Sequence, residues 1–395
     1  MTRLRALLTI IVSMAAVAAS AQTSFVVDRI EVLPGVRVHA EIVRAESRLV
    51  AGKSYTKDDL DQALYRIRRL PFVIDAGYTL AAGNTPDSRV VQFNVVSQHA
   101  FNYLGDIQAV SFHSHGGAHI GGFLGYSFFP GATGVLDLTA GGSTFASSQT
   151  TTGTPGNFAL RYSAYGLFGT SAYAAAGVSS TRTRSSGSRQ FEPSVTFGIP
   201  LGLTQTFRAT YIGTSTGSES PTITSAEWVM DRTDDPYFAR RGLMLVAGPQ
   251  RTKQRFINDF NVGTRFYFHS DQTITRNGLS ASAENFRPLA KHSTLWGSVL
   301  VSRFDESNLL NGKKLPKVNE TNADLLIGLA HNFDGGTGGG DLFNRARVEV
   351  GAGYRLQNRD YQAYKQHDKG FEANGGVAYR SEWGVIHLSI SYVAN

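Results

Sequence analysis

Apolar and polar residues alternate along short segments through the C-terminal three quarters of the chain. In residues 385–392, isoleucine, leucine, isoleucine and tyrosine occupy every second position from 386 onward, with histidine and serine between them. Side chains point to opposite faces of a β-strand in turn, so this segment predicts a strand with one apolar and one polar face. In residues 344–354 the polar face carries Arg345, Arg347 and Glu349. Successive charges disfavour the inner face of a soluble sandwich and favour a barrel with lipid outside and a wet lumen.

About sixteen such segments follow residue 98, each near the 9–11 residues that a tilted strand needs to cross a bilayer. The pattern therefore predicts a mainly β protein with a transmembrane antiparallel β-barrel of about sixteen strands over residues 99–395. No segment beyond the N-terminus is long and apolar enough for a spanning helix. The hydrophobic content of 42% is typical of a soluble protein. Half of every membrane strand is polar, however, so overall hydrophobicity does not detect a barrel.

The strand register is ambiguous in one region. Three strands are predicted at 241–249, 256–268 and 275–286. With that count, the long stretches 305–320 and 357–368 fall at the end of the barrel that carries the short turns. Either one strand in this region is misplaced or these two turns are unusually long. The sequence leaves both interpretations open.

Residues 1–21 predict a secretory signal peptide. Arg3 and Arg5 form a positive region, an apolar stretch follows, and small residues precede a cleavage site between Ala21 and Gln22. The alternative, a transmembrane anchor, is disfavoured because the apolar stretch is shorter than about 18 residues. The sequence has 0 Cys, which excludes a lipoprotein anchor, disulfides and thiolate sites. The net charge of +7 is scattered, which disfavours nucleic-acid binding.

Residues 22–98 predict a small α+β domain with the element order β-α-α-β-β. The predicted elements are a strand at 25–32, a helix at 40–49, a second helix between its N-cap Thr56 and Pro71, and strands at 73–80 and 89–96. Asp58 and Asp59 lie in the first turn of the second helix, where the helix dipole favours negative charge. A segment of this length can form a small core of its own.

Three sequence features mark this domain: an opening strand ending near Gly35, the pattern Leu49-x-x-Gly52-x-x-Tyr55-Thr56, and the pattern Ile67-x-x-Leu70-Pro71-Phe72. With this element order, the domain resembles a POTRA domain. The resemblance implies a domain that hangs in the periplasm from a barrel of the BamA/TamA-type outer-membrane assembly superfamily. An unrelated small α+β domain is the alternative.

A segment between the eighth and ninth predicted strands resembles the D-x-x-D…F-P-x-x-G turn of the same superfamily's surface-antigen barrel. Asp231, Asp234, Phe238 and Gly242 match the motif, and Ala239 replaces the family's proline. Asp side chains cap backbone N–H groups in turns, and glycine permits the chain to re-enter a strand. An ordinary polar turn is the alternative for any single residue.

The sequence also departs from the superfamily. The family carries an Arg-Gly-aromatic motif on a long lumenal loop between the eleventh and twelfth strands. The corresponding connection here, Phe286–His292, is short, and the single Arg-Gly pair of the sequence is Arg241-Gly242. The resemblance to the family is therefore stronger than the resemblance to its transport mechanism.

The predicted strands carry charged residues on their polar faces. These predicted lumen residues are Arg161, Arg265, Arg345, Arg347 and Glu349. Mutual pairing in the lumen is favoured over direct contact with a substrate. His113, His115 and His119 are interpreted as part of a solvated loop rather than as metal ligands. The sequence shows no pattern for a catalytic site, a cofactor or a metal, and the protein is not expected to be an enzyme.

Taken together, these patterns and the resemblance imply an outer-membrane protein that inserts or translocates proteins. The POTRA-like domain would receive unfolded outer-membrane or secreted clients in the periplasm by β-augmentation. The seam between the first and last barrel strands would pass them to the lipid. The alternative is a passive pore or structural barrel without transport activity. Accessory subunits and client identity are not readable from the sequence.

Overall fold

The structure is a computed structural model of the chain. It describes residues 24–33, 39–70, 72–97, 100–112, 116–147, 151–182, 189–213, 222–235, 238–262, 266–334, 345–361, 364–381 and 384–394. The predicted signal peptide, with Ala21 and Gln22, lies outside these residues, as do His113 and His115. Within the described ranges, no helix has the length and apolar character needed to cross a membrane.

The N-terminal domain is a four-stranded sheet with two helices. Its elements are β1 (Phe25–Val32), α1 (Ala40–Ser47), β2 (Ser54–Tyr55), α2 (Lys57–Arg68), β3 (Val73–Ala82) and β4 (Ser88–Ser97). The sheet order is β2-β1-β4-β3, with β1 parallel to β4. The order agrees with the prediction except for the added two-residue β2. As predicted, Thr56 caps α2: its hydroxyl accepts from the N–H of Asp59, whose carboxylate accepts from the N–H of Thr56.

The domain has a conventional apolar core. Val27, Ile42, Leu60, Ile67 and Phe93 are each 0% exposed. Full burial of a side chain of this size stabilises a fold by about 1.5–3 kcal/mol. The apolar faces of α1 and α2 supply one side of this core, and the sheet supplies the other.

The rest of the chain forms one large sheet. Its strands are β5 (Phe101–Phe112), β6 (Gly116–Phe128), β7 (Gly134–Ser147), β8 (Thr151–Leu167), β9 (Ala172–Arg182), β10 (Arg189–Leu201), β11 (Gln205–Ile212), β12 (Thr222–Asp231), β13 (Gly242–Val262), β14 (Phe266–Pro288), β15 (Ser293–Leu310), β16 (Lys313–Lys314), β17 (Val318–Asp334), β18 (Arg345–Tyr361), β19 (Tyr364–Ser381) and β20 (Gly384–Ala394). The sheet contains 16 strands, and pairing of β14 with β15 closes it into a barrel. The predicted fold class is confirmed.

One of the sixteen strands is much shorter than the others. β16 has 2 residues and lies against the end of β15, so the other fifteen form the wall of the barrel. Neighbouring wall strands are antiparallel, except that β20 pairs with β5 in parallel along Gly384–Val393 and Tyr103–Phe112. An odd number of wall strands requires this, because the first and last strands then run in the same direction.

The predicted strand at 256–268 is wrong. β13 and β14 continue through this region as one long hairpin of 21 and 23 residues, paired without a break from Gly242↔Phe286 to Val262↔Phe266. Residues 256–262 are therefore the end of β13, and residues 266–268 are the start of β14. The first open interpretation, a misplaced strand, is therefore confirmed. The regions 305–320 and 357–368 accordingly lie at the end of the barrel opposite the N-terminal domain.

The barrel has the opposite arrangement of the domain, with apolar side chains outside. On β17, Leu325, Ile327 and Leu329 are 47%, 55% and 50% exposed. The segments 344–354 and 385–392, which predict one apolar and one polar face, have the same arrangement. Val350 and Ile390 point outward and are 56% and 66% exposed. An outer apolar band around a polar interior is the surface expected of a transmembrane barrel.

The two ends of the barrel differ. The chain passes from β4 into β5 at one end, and the connections after β6, β8, β10, β12, β14, β17 and β19 return to it. We call this the proximal end. At the distal end, β13 and β14 run far beyond the 9–11 residues needed to cross a bilayer.

Candidate functional site

The N-terminal domain sits in the proximal mouth of the barrel, and an apolar contact joins the two. Phe72 of the domain packs edge-on against Phe129 and Tyr165 of the barrel, with ring centroids 5.1 and 6.3 Å apart. The apolar core of the domain also includes the fully buried barrel residue Val135, with Leu203 packed against it. Domain and barrel therefore share one continuous apolar core.

Arg48 is the first of three arginines that tie the domain to the barrel rim. Its guanidinium donates to the carbonyl oxygens of Gly202 and Gln205, at 2.9 and 2.5 Å, and to the hydroxyl of Thr206 at 2.6 Å. These acceptors lie at the turn between β10 and β11. Burial, followed by the charge of Arg66, lowers the pKa of Arg48 to about 9. Arg48 is therefore a largely buried cation at the boundary between domain and barrel.

The backbone of Arg48 is unusual as well. The residue ends α1 with a φ of 57°, in the left-handed region, where glycine is the common residue. For a residue with a Cβ, this conformation costs about 1–2 kcal/mol. The position thus carries a strained arginine in place of an unstrained glycine, and its side chain makes the rim contacts.

Arg66 lies on the last turn of α2, where a helix favours positive charge. Its guanidinium donates to the carbonyl oxygen of Leu203 at 2.9 Å and pairs with the Glu46 carboxylate at 2.6 Å. Burial lowers the pKa of Arg66, and attraction to Glu46 opposes that shift. The buried Arg66–Glu46 pair links the two helices of the domain to the β10–β11 turn.

Arg69 makes the most extensive contact with the barrel. Its Nε lies 2.6 Å from one carboxylate oxygen of Asp231, and its Nη2 donates to the other at 2.7 Å. The same Nη2 donates to the hydroxyl of Thr233 at 2.8 Å. The Nη2 contact is a hydrogen bond between two charged groups, which is stronger than a neutral one, and the Nε contact adds charge attraction. Together these contacts fix the end of α2 to the end of β12.

The predicted Asp turn is therefore part of the docking surface. Asp231 accepts from the N–H of Thr233 at 3.0 Å, which is the predicted capping role, and it also binds Arg69. Asp234 accepts from the N–H groups of Arg240 and Arg241 at 2.8 and 3.2 Å. Both aspartates hold the turn by capping backbone donors. The second role of Asp231, toward the domain, was not predicted.

The other motif residues hold the turn against the barrel. Phe238 is 3% exposed, and its N–H donates to Asp235 at 2.8 Å. Gly242 has a φ of +116°, and a Cβ there would lie 2.2 Å from the carbonyl oxygen of Arg232. Only glycine fits this position, which starts β13. The carbonyl of Ala239, where the family has proline, accepts from Arg347 at 2.8 Å.

The lumen charges that can be described are mostly paired. Arg347 is 4% exposed, and its Nε lies 3.1 Å from the Glu349 carboxylate, in addition to its bond to the Asp turn. Arg161 lies opposite Asp137 in the β7–β8 register. Arg265 and the side chain of Arg345 lie outside the part of the chain that the structure describes. Further ion pairs that the sequence analysis missed are Arg208–Glu227, Arg276–Glu320, Arg359–Glu320, Arg355–Asp324 and Arg355–Glu372.

Arg380 connects the domain to the parallel seam of the barrel. It lies near the proximal end of β19, next to β20, and its Nη2 donates to the carbonyl oxygen of Val73 at 3.1 Å. Its Nη1 lies 3.8 Å from the Asp235 carboxylate of the Asp turn. Val73 is the first residue of β3. The outer strand of the domain sheet therefore begins beside the last strands of the barrel.

β3 is also an edge strand, with β4 as its one neighbour in the sheet. The N–H of Gly83 donates to Ser88 across the β3–β4 hairpin, and the carbonyl of Ala76 accepts from Arg68 on the other side. Because backbone groups alternate sides along an antiparallel strand, those of Tyr78 and Leu80 also point away from β4. Leu80 is 44% exposed. This part of β3 can accept another strand.

Comparison with solved structures found similar chains. The chain is similar to the crystal structure of BamA from Haemophilus ducreyi lacking POTRA domains 1–3, with 13% identity and a TM-score of 0.42. The similarity covers 93% of this chain and 81% of that chain. No family model matches the sequence, and no curated protein matches it. By its own geometry, the protein is a closed β-barrel with an apolar outer surface and a small α+β domain docked in one mouth.

Proposed function

We propose that this protein is an outer-membrane barrel that inserts or translocates proteins. The N-terminal domain lies in the periplasm and receives unfolded outer-membrane or secreted clients, and the barrel seam passes them to the membrane. The apolar outer band supports a lipid environment for the barrel. The proposal involves no enzymatic reaction, cofactor or nucleic acid.

The observation that carries the proposal is the position of β3. An edge strand presents unpaired N–H and C=O groups, to which an extended peptide adds with little sequence selectivity. β3 starts at Val73, which Arg380 ties to β19 beside the β5–β20 seam. A client strand added to β3 would therefore have one end close to the seam. Binding and delivery would require no long movement of the domain.

Leu80→Pro tests the client site. Proline removes the outward N–H of residue 80 and leaves the hydrogen bonds of its neighbours to β4 in place. We expect extended barrel-derived peptides to crosslink to the wild-type chain at β3, and the Leu80→Pro variant to lose that crosslink. Leu80→Ala is the matched control, because it shortens the side chain and keeps the N–H. Equal crosslinking of the proline and alanine variants would contradict the proposed site.

The second candidate is a passive pore or structural barrel. The sequence carries no Arg-Gly-aromatic motif, which favours it. The docking of the domain in the proximal mouth favours a closed structural barrel over an open pore. Conductance in planar bilayers separates these two forms. A wild-type chain that conducts freely, without any peptide crosslink, would support the pore. A barrel that neither conducts nor crosslinks would support the structural role.

A further inference from the structure

A cavity of about 300 Å³ lies at the junction between domain and barrel, and its charges do not balance. Its charged lining consists of Glu46, Arg48, Arg66, Arg69, Arg208 and Asp231. Four guanidinium groups thus face two carboxylates. The hydroxyl-bearing side chains Tyr165, Tyr173, Thr204 and Thr206 complete its polar lining.

Three of the four cations are already neutralised. Arg66 pairs with Glu46 at 2.6 Å, and Arg69 pairs with Asp231 at 2.6 Å. Arg208 pairs with Glu227 at 2.6 Å. Arg48 is the remaining cation. Its hydrogen-bond partners are two carbonyls and a hydroxyl, and no carboxylate among the described residues forms an ion pair with it.

Arg48 also has an unused donor. Its Nε is buried and has no hydrogen-bond partner in the described part of the chain, and the same holds for Nη1 of Arg69. A buried charge without a counter-ion is costly, and a buried donor without an acceptor adds to that cost. A small oxyanion in the cavity would supply the counter-charge that Arg48 lacks, and its oxygens can accept several hydrogen bonds at once from the polar lining.

We propose that this cavity binds a small oxyanion such as phosphate beside Arg48. The ion is a free one rather than a lipid headgroup, because the cavity lies between the domain and the lumen and the lipid-facing side chains point the other way. By adding a charged link between the end of α1 and the β10–β11 turn, the ion would stabilise the docked domain. This inference does not rest on the proposed transport of clients.

The backbone of Arg48 offers a variant that removes the charge without adding backbone strain. Glycine adopts a φ of 57° freely, so Arg48→Gly relieves backbone strain while it deletes the guanidinium. Arg48→Lys keeps a positive charge at the same place. Arg44→Gln is the control, because Arg44 lies on the same helix, is exposed and pairs with Glu41 at 2.6 Å.

The test is calorimetric titration of the full-length chain in detergent with inorganic phosphate, at an ionic strength held constant with chloride. We expect saturable binding of one phosphate by the wild type and by Arg44→Gln, and binding at least tenfold weaker in Arg48→Gly. Arg48→Lys should recover part of the affinity. Binding should be the same in micelles with and without an anionic phospholipid, and competition by that lipid would assign the site to a headgroup. Absence of saturable phosphate binding by the wild type, or equal affinity in Arg48→Gly, would overturn the proposal.

Discussion

The N-terminal domain and the barrel place the same kinds of residue on opposite sides of the chain. In the domain, Ile67 and Phe93 are 0% exposed, whereas the Arg29 side chain is 57% exposed. In the barrel, Leu124 and Ile390 are 70% and 66% exposed, whereas Arg347 is 4% exposed. The alternation of apolar and polar residues specifies a strand in both regions. The medium on each side decides which face is the inner one.

The proximal mouth is where these two arrangements meet. Phe72 is a buried apolar side chain, like those of the domain core, and it packs against aromatic rings of the barrel. Arg69 is a largely buried cation, like Arg347 inside the barrel, and it is neutralised by Asp231. Docking therefore combines an apolar contact with ion pairs, and each contribution can be removed separately.

Loss of the main ion pair should have the largest effect. Breaking a buried pair by removing one partner costs about 3–5 kcal/mol, because the other charge is left without its counter-ion. We expect Arg69→Ala to lower the free energy of unfolding of the docked domain by this amount, and to raise the bilayer conductance as the mouth opens. The double variant Arg69→Ala/Asp231→Ala should recover part of the loss, since no orphaned carboxylate remains. A loss no larger than that of Arg44→Ala, on the exposed face of α1, would show that the pair does not hold the domain.

A charge on the outer face of the barrel should have the next largest effect. Arg at a lipid-facing position near the midplane costs about 2–4 kcal/mol, because lipid cannot solvate it. We expect Leu388→Arg to lower the free energy of unfolding from phospholipid vesicles by this amount. Ser389→Arg is the matched control on the inner face, opposite Gly376 on β19. Equal destabilisation by both variants would contradict the assigned faces.

Loss of a turn cap should have the smallest effect. Asp234 accepts from two N–H groups, and removal of such a cap costs about 1 kcal/mol. We expect Asp234→Ala to lower the amount of folded barrel in the membrane, as measured by its resistance to unfolding on electrophoresis, without a change in export. Asp305→Ala, at an exposed position on β15, should fall within about 0.5 kcal/mol of the wild type. An equal loss from both would show that the Asp turn has no special role.

Local patterns in the sequence were sufficient for much of the fold. The lipid-facing and lumen-facing sides of residues 345–361 and 384–394 follow from a period of two, which is a property of a single strand. The capping box of Thr56 with Asp59 is likewise contained in four consecutive residues. These features needed no knowledge of a partner strand.

The features that were missed depend on partners far away in sequence. The predicted strand at 256–268 failed because pairing between β13 and β14 decides where each strand ends. Asp231 and Arg69 are separated by 162 residues, so the turn motif gave no sign of its contact with the domain. Arg66 gave no sign of its contact with Leu203 for the same reason, since 137 residues separate the two. Arg48 gave no signal, because the predicted helix at 40–49 contains it, whereas in the structure α1 ends at Ser47 and Arg48 takes the left-handed conformation.

The barrel is turned inside out relative to the N-terminal domain, with its apolar side chains facing lipid and its polar side chains facing the lumen. Spin labels on β20 test this most directly, and the 0 Cys of the sequence make every introduced Cys a unique label site. Labels at Ile386, Leu388 and Ile390 should be relaxed by oxygen dissolved in the bilayer, and labels at His387 and Ser389 by a water-soluble quencher. The reverse pattern, or equal access of both quenchers at all five positions, would contradict the account.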